Sequence, residues 1–310
     1  MSVVSSRVSS RVSSRVSSRV SPGVRRVTLG SGRGAPVTGL LAEPEPQPDA
    51  GPARALVVAL HGGGMSAGYF DGQAHPDVSL LALGARLGYA VLALDRPGYG
   101  PYAGLEPDGR GVADQAGAVG EALEGFAEGP VLLLGHSFGG KVALALAADR
   151  PPPGLVGVDV SGVGHRLAVP AGRAAREAGF GARRLDWGPT FGLYPPGTFR
   201  ASRSVVAPMP RREVESVGGW TGGGADVLGR VTVPVRFTFA EYEAWWRHGP
   251  DDVADLTGLL ARSPRVVVDR LPGAGHNVSL GWAARTYHLR VFAFLEECLA
   301  AGAAPAGPES

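Results

Sequence analysis

Residues 131–147 read VLLLGHSFGGKVALALA. The unbroken apolar run VLLL, preceded by Gly129 and Pro130, suits a strand buried on both faces. Alternation would be needed only if one face met water. The run KVALALA that follows suits a helix packed on more than one side. Between them, Gly135–Gly139 fit G-x-S-x-G. A strand that turns this abruptly into a helix puts Ser137 at the tip, with its hydroxyl above the sheet edge. Small residues at 135, 139 and 140 let the strand and helix approach. In a chain with 48 glycines the pattern alone says little. Its position between a buried strand and an apolar helix gives it weight.

The rest of the chain repeats that alternation. ALVVAL (55–60), YAVLALD (89–95), LVGVDV (155–160), VPVRFTF (233–239) and RVVVDRL (265–271) read as further strands. Residues 80–87 and 112–127 read as helices. The last helix has apolar positions at 280, 283, 287, 291, 294 and 298, the spacing of one buried face. Arg26–Leu29 and Val37–Ala42 read as two antiparallel strands ahead of a proline-rich linker, EPEPQPDAGP. Strands alternating with helices predict a mostly parallel, doubly wound sheet covered on both sides. Residues 163–230 break the alternation and carry Phe180, Trp187, Phe191, Tyr194, Phe199 and Trp220. So long an insertion predicts a lid rather than a structureless loop. Its aromatics either line a substrate pocket or form the lid's own small core.

Composition narrows the classes. A single cysteine, Cys298, excludes an internal disulfide framework. No stretch approaches the ~18 apolar residues of a membrane span, and no secretory core follows Arg25-Arg26, so a cytoplasmic protein is expected. The start, SSRVSSRVSSRVSSRV, offers only a thin valine stripe, and residues 1–22 are expected to be a disordered tail. Residues 1–42 hold seven arginines and no acid, which leaves −5 of the chain's +2 on the remainder. A mildly acidic body argues against nucleic-acid binding. No H-E-x-x-H or comparable cluster appears among the seven histidines, and neither HGGG nor GSGRG has the context of a phosphate loop. No metal, cofactor, nucleic-acid or membrane partner is expected. Lys141 is the chain's only lysine, in a composition that suggests a high-GC genome.

Four motifs fall in one order: HGGG at 61–64 after the third strand, DRPGYG at 95–100 after the fourth, GHSFGG at 135–140, and PGAGHNVSL at 272–280 after the last. From about residue 25 to 300 the sequence resembles the α/β-hydrolase superfamily, in its serine-nucleophile branch. The resemblance implies a hydrolase core over 23–162 and 231–302, a lid over 163–230 between strands 6 and 7, and a flexible end from 303 to 310. A serine hydroxyl is a poor nucleophile without an imidazole to take its proton, and His276 is the candidate base. Neighbouring elbow side chains diverge, so His136 is assigned a structural or pocket-lining place. The imidazole in turn needs a carboxylate.

In the superfamily that acid usually follows the penultimate strand, which here leads into Ala240-Glu241-Tyr242-Glu243. Glu243 matches the acid position, with glutamate in place of aspartate; Glu241 and Asp159 are the rivals. The oxyanion donors implied are the backbone N–H groups of Phe138 and Gly63, with Gly64 as an alternative. His61 is expected to brace its loop, and Asp95 to shape the floor of the site. A serine at the elbow disfavours the carboxylate-nucleophile chemistry of dehalogenases and epoxide hydrolases. The implied activity is hydrolysis of a carboxylic ester or thioester of a medium-sized, largely apolar small-molecule acyl substrate through a Ser-His-Glu triad. The alternative is a cofactor-free lyase or cyclase on the same fold, as in actinobacterial polyketide pathways.

Overall fold

The structure, a computed structural model, describes residues 21–30, 34–45, 52–170, 173 and 183–303. Eight strands form one sheet: β1 (Val24–Leu29), β2 (Val37–Ala42), β3 (Leu56–Leu60), β4 (Ala90–Leu94), β5 (Val131–His136), β6 (Leu155–Ser161), β7 (Val235–Tyr242) and β8 (Val266–Gly275). Their order is β1-β2-β4-β3-β5-β6-β7-β8. β2 runs antiparallel to β1 and β4, and every other pairing is parallel. β3 and β5 are buried along their whole length, which is why their sequences are unbroken apolar runs.

The helices that matter here are α1 (Leu80–Arg86), α2 (Val112–Leu123), α3 (Phe138–Asp149) and α9 (Ala284–Ala303), with α4 to α8 lying between the last two. Nearly every residue of α3 is buried, so its sequence is apolar all round. Because β3 leads to β4 on one side and the chain returns to β5 on the other, the strand order reverses beside β3. Loops at the carboxyl ends of the strands on either side of such a switch form a crevice. Here those ends carry residues 61–64, 137, 162, 243 and 276.

The main differences from the sequence expectation fall in four elements, each for a local reason. α2 stops at Leu123, since Glu124 turns extended (ψ 122°) and Gly125 is left-handed. The last helix starts only at Ala284: Leu280 closes a short 3-10 turn and Gly281 is extended, so positions 280 and 283 lie outside it. β7 and β8 run past 239 and 271, to Tyr242 and Gly275, because a register shift between Ala240 and Tyr242 keeps them paired. That extension puts Glu243 and His276 one residue beyond a paired strand end.

Most of the expected N-terminal tail lies outside the described residues. Its end does not: Ser21 donates to Asp71 through N–H (2.9 Å) and through its hydroxyl (3.2 Å). Between β6 and β7 the described part of the insertion holds α4 (Arg183–Trp187), α5 (Thr198–Ala201), α6 (Arg211–Ser216) and α7 (Trp220–Leu228). α8 (Pro250–Gly258) follows β7. Among the described residues no helix is long and apolar enough to cross a membrane.

Candidate active site

Ser137 has φ 51° and ψ −117°, the only positive φ of a non-glycine among the described residues. Such a conformation is strained and persists only where its surroundings enforce it. Here glycines make the room. A Cβ on Gly135 would lie 2.7 Å from the Gly140 nitrogen, and one on Gly139 would strike the carbonyls of Leu60 and His61. The Ser137 amide donates to the Ser161 carbonyl (2.8 Å), which ties the elbow to the end of β6.

The next residue along β6, Gly162, has φ +62° and lies under the His276 ring: a Cβ there would be 2.6 Å from Cε1 and 2.9 Å from Nδ1. His276 is buried, and its Nδ1 is 2.7 Å from Glu243 Oε2. Glu243 is fixed from its other side, where Oε1 accepts the Trp245 N–H (2.9 Å). A carboxylate on Nδ1 sets the tautomer with the proton at that atom and leaves Nε2 as the basic position. Burial of His276 opposes its charge, but Glu243, with Asp186 adding to it, outweighs burial and raises the pKa above the ordinary histidine value. The rival acids stand elsewhere. Glu241 is exposed and accepts the Gly273 N–H (2.7 Å). Asp159 lies inside β6, not after it, and pairs with Arg236 Nε (2.6 Å) and the Tyr287 hydroxyl (3.2 Å).

His136 stacks on Tyr69 (centroids 4.8 Å apart, 11° between planes), lies 4.9 Å from the His276 ring, and has Nδ1 3.0 Å from the Ser161 hydroxyl. Burial and the neighbouring His276 keep its pKa well below the ordinary value, so it packs as a neutral ring.

The HGGG loop emerges beside the elbow because Leu60 pairs with Gly135 across β3 and β5. Arg96, fully buried, holds this loop by its carbonyls: Nε donates to His61 O (2.7 Å) and Nη2 to Gly62 O (3.1 Å). His61 accepts the Arg96 N–H at Nε2 (3.2 Å) and donates from Nδ1 to Gly62 O (2.8 Å). Burial, and then Arg96, push the His61 pKa well down, so it braces the loop as a neutral ring. The Gly64 N–H donates to Tyr99 Oη (2.9 Å), which removes it as an oxyanion donor. The Gly63 N–H meets no acceptor among the described residues. Phe138 opens α3, so its N–H belongs to the electropositive end of that helix. Asp95 accepts from Ala67 N–H (2.8 Å) and the Thr38 hydroxyl (2.7 Å), which holds the floor beneath the loop.

Of the two expectations for the aromatics of the insertion, the described ones fit a small core of their own better than a pocket wall. Trp187, Tyr194 and Phe199 pack on one another with centroids 4.9–5.8 Å apart, and Phe191 is fully exposed. Phe180 lies outside the described residues. Apolar aliphatic residues instead approach the glycine loop: Met209 covers Gly63, where a Cβ would be 2.9 Å from its Cε, and Ala207 N–H donates to Gly64 O (2.9 Å). Trp220 is buried and donates to Gly164 O (3.0 Å). With Phe138 and Trp246 it surrounds the ammonium of Lys141, at 5.3–5.9 Å. Burial lowers the Lys141 pKa to about 7. Gly162, Arg96, Tyr99, Glu213, Trp245 and Met209 all escape the motif reading. Only Arg96 and Tyr99 fall within a quoted motif, and their partner Glu213 is more than a hundred residues away with no local signal.

Residues 57–286 match the sequence model of the alpha/beta hydrolase family. A 119-residue stretch is 31% identical to protein phosphatase methylesterase 1 of Pongo abelii, covering 37% of this chain and only 29% of that protein. Among solved structures, a thermostable carboxyl esterase from Bacillus coagulans superposes with TM-score 0.67 at 16% identity, over 90% of this chain and 99% of that one. An N-acyl homoserine lactonase superposes with TM-score 0.63 at 17% identity, over 89% and 97%. A putative epoxide hydrolase from Pseudomonas aeruginosa gives 0.61 at 17%, over 92% and 99%. At such identities the superpositions speak for the fold. With the eight-stranded sheet, its switch-point crevice and the family match over most of its length, the chain belongs to the alpha/beta hydrolase family.

Proposed function

We propose that the protein is a serine hydrolase that cleaves a carboxylic ester or thioester of a medium-sized, largely apolar acyl substrate. The observation that carries the reading is the 2.7 Å contact between Glu243 and His276 at the strand edge that holds the strained Ser137. In this mechanism His276 Nε2 takes the Ser137 proton as Oγ attacks the carbonyl carbon, and Glu243 stabilises the imidazolium. The N–H groups of Gly63 and Phe138 receive the developing oxyanion. Collapse expels the alcohol or thiol, protonated by His276, and leaves an acyl-serine. Water activated by the same histidine then releases the acid. The names of the carboxyl esterase, lactonase and methylesterase among its relatives, each describing cleavage of an ester bond, support the reaction class.

Met209 at Gly63 and Trp245 near His276 (centroids 6.2 Å apart) supply apolar surface at the reacting centre, which favours an apolar acyl group over a sugar or phosphate. The test is a series of p-nitrophenyl esters and acyl thioesters of increasing chain length. Activity is expected to rise from acetyl towards medium chains. Each methylene that reaches the wall contributes up to ~0.8 kcal/mol, about fourfold, until the pocket is full. A flat or falling series would refute the medium-chain assignment.

A further inference from the structure

The insertion reaches the glycine loop through one buried side chain. Glu213, in α6, is fully buried beside Arg96 and forms an ion pair with it (Nη1 to Oε1, with Nη2 to Oε2 at 3.2 Å). The same carboxylate accepts the Tyr99 hydroxyl (2.6 Å at Oε2) and the Gln115 amide (2.7 Å at Oε1). Gln115 Oε1 in turn accepts from Arg96 Nη1 (2.6 Å). Each of these partners acts on the loop. Tyr99, with its proton committed to Glu213, presents Oη as the acceptor for Gly64 N–H, and Arg96 takes the carbonyls of His61 and Gly62. The Arg96 guanidinium also lies 4.9 Å from the ring centroids of both Tyr99 and Phe138. Both proposed oxyanion donors are therefore carried by residues that lean on this cluster.

We infer that Glu213 is a positioning residue for the oxyanion hole, so that docking of the insertion and assembly of the hole are one event. The inference rests on the proposed serine-hydrolase reading. With the carbonyls of 61 and 62 and the N–H of 64 all held, the peptide between Gly62 and Gly63 has one orientation left. Its carbonyl is turned to Arg96, so its N–H points away from the cluster, and the loop lies against the elbow, where a Gly62 Cβ would be 3.2 Å from Ser137 Cβ. Without the carboxylate, Arg96 becomes a buried charge lacking its counter-ion, and Tyr99 loses the acceptor that orients its hydroxyl. Nothing else in the cluster carries a negative charge. If α6 moves away, the donors lose their aim even though Ser137, His276 and Glu243 stay in place.

Three variants test this: Glu213→Gln, Tyr99→Phe and, as a control on the same helix, Glu215→Gln, whose exposed side chain pairs, among the described residues, only with Arg211. The readouts are kcat and KM on an ester that the wild type hydrolyses, inhibition by an alkylboronic acid that forms a tetrahedral adduct on serine, and inhibition by the product carboxylic acid. For Glu213→Gln we expect kcat to fall about 30- to 100-fold, short of the loss on deleting a donor outright. KM should stay within threefold. Boronate affinity should fall by a factor similar to kcat, and product affinity should not change. Tyr99→Phe keeps the ion pair, so it should fold as the wild type does and lose kcat about tenfold. Glu215→Gln should match the wild type.

A merely structural role predicts a lower melting temperature with kcat per folded molecule and boronate affinity both unchanged, and that result would overturn the inference. If Glu213→Gln does not fold, wild-type kinetics in Tyr99→Phe would overturn it as well. Failure of the underlying reading has a different signature: the wild type itself would bind no boronate and hydrolyse no ester.

Discussion

A methyl group added at Gly162 tests the site's geometry without replacing any residue of the triad. Alanine there would place its Cβ 2.6 Å from His276 Cε1, about 0.8 Å inside the 3.4 Å at which ordinary contact begins, and 3.2 Å from His136 Cε1. His136 is stacked on Tyr69 and gives no room on that side, so the His276 ring has to move. A shift of that size breaks the 2.7 Å contact with Glu243 that orients the ring. Displacements near 1 Å cost roughly 10²-fold in rate.

The backbone adds a separate cost. With φ at +62°, alanine at this position destabilises by about 1–2 kcal/mol. A protein of this size keeps its fold through that loss, with a melting temperature a few degrees lower. Steady-state hydrolysis of a p-nitrophenyl ester, at a temperature where circular dichroism shows Gly162→Ala fully folded, should give kcat about 100-fold below wild type. Activity within threefold of wild type in the folded variant would refute the placement of His276 as the base.

Glu243→Gln should lower kcat by several powers of ten while Glu241→Gln changes it little, since only Glu243 reaches His276; equal small losses would remove Glu243 from the mechanism. The base must be neutral, and His276 has a raised pKa, so activity should fall as pH drops through that value. In Glu243→Gln the acid limb of the pH–rate profile should move to lower pH, because burial is then opposed only by the smaller effect of Asp186. Lys141 predicts a pH effect on stability instead. Its folded pKa of about 7 lies below the ordinary 10.5, so between these values the unfolded chain binds more protons and stability rises with pH. The full difference corresponds to about 5 kcal/mol, an upper bound because the three surrounding rings stabilise the ammonium. Urea midpoints of wild type and Lys141→Met should therefore converge or cross between pH 7 and pH 10, and parallel curves would contradict the depressed value.

The sheet was legible because its central strands are buried on both faces and so read as unbroken apolar runs, and because each glycine motif ends one of them. Ser137 and His276 could be named from their place after β5 and β8. Glu243 could be named only against rivals, since the register shift between Ala240 and Tyr242 decides which glutamate meets the histidine. Asp159 stands within the run LVGVDV itself, and β6, which continues to Ser161, keeps it inside the sheet against Arg236. The aromatic richness of the insertion left pocket walls and a small core of its own both open; three of its rings pack on one another, and Met209, which no pattern marks, covers the glycine loop. Glu213 had no signature at all. A buried ion pair between residues so distant in sequence becomes visible only when the fold brings them together.

If Ser137 carries the acyl group, a covalent serine probe will mark it. The full-length protein is treated with a fluorophosphonate, digested and mapped by mass spectrometry. One adduct is expected, on Ser137, absent in Ser137→Ala and formed orders of magnitude more slowly in His276→Ala. A wild-type protein that turns over its substrate yet leaves Ser137 unmodified would contradict the acyl-enzyme and point to proton transfer in an elimination or cyclisation.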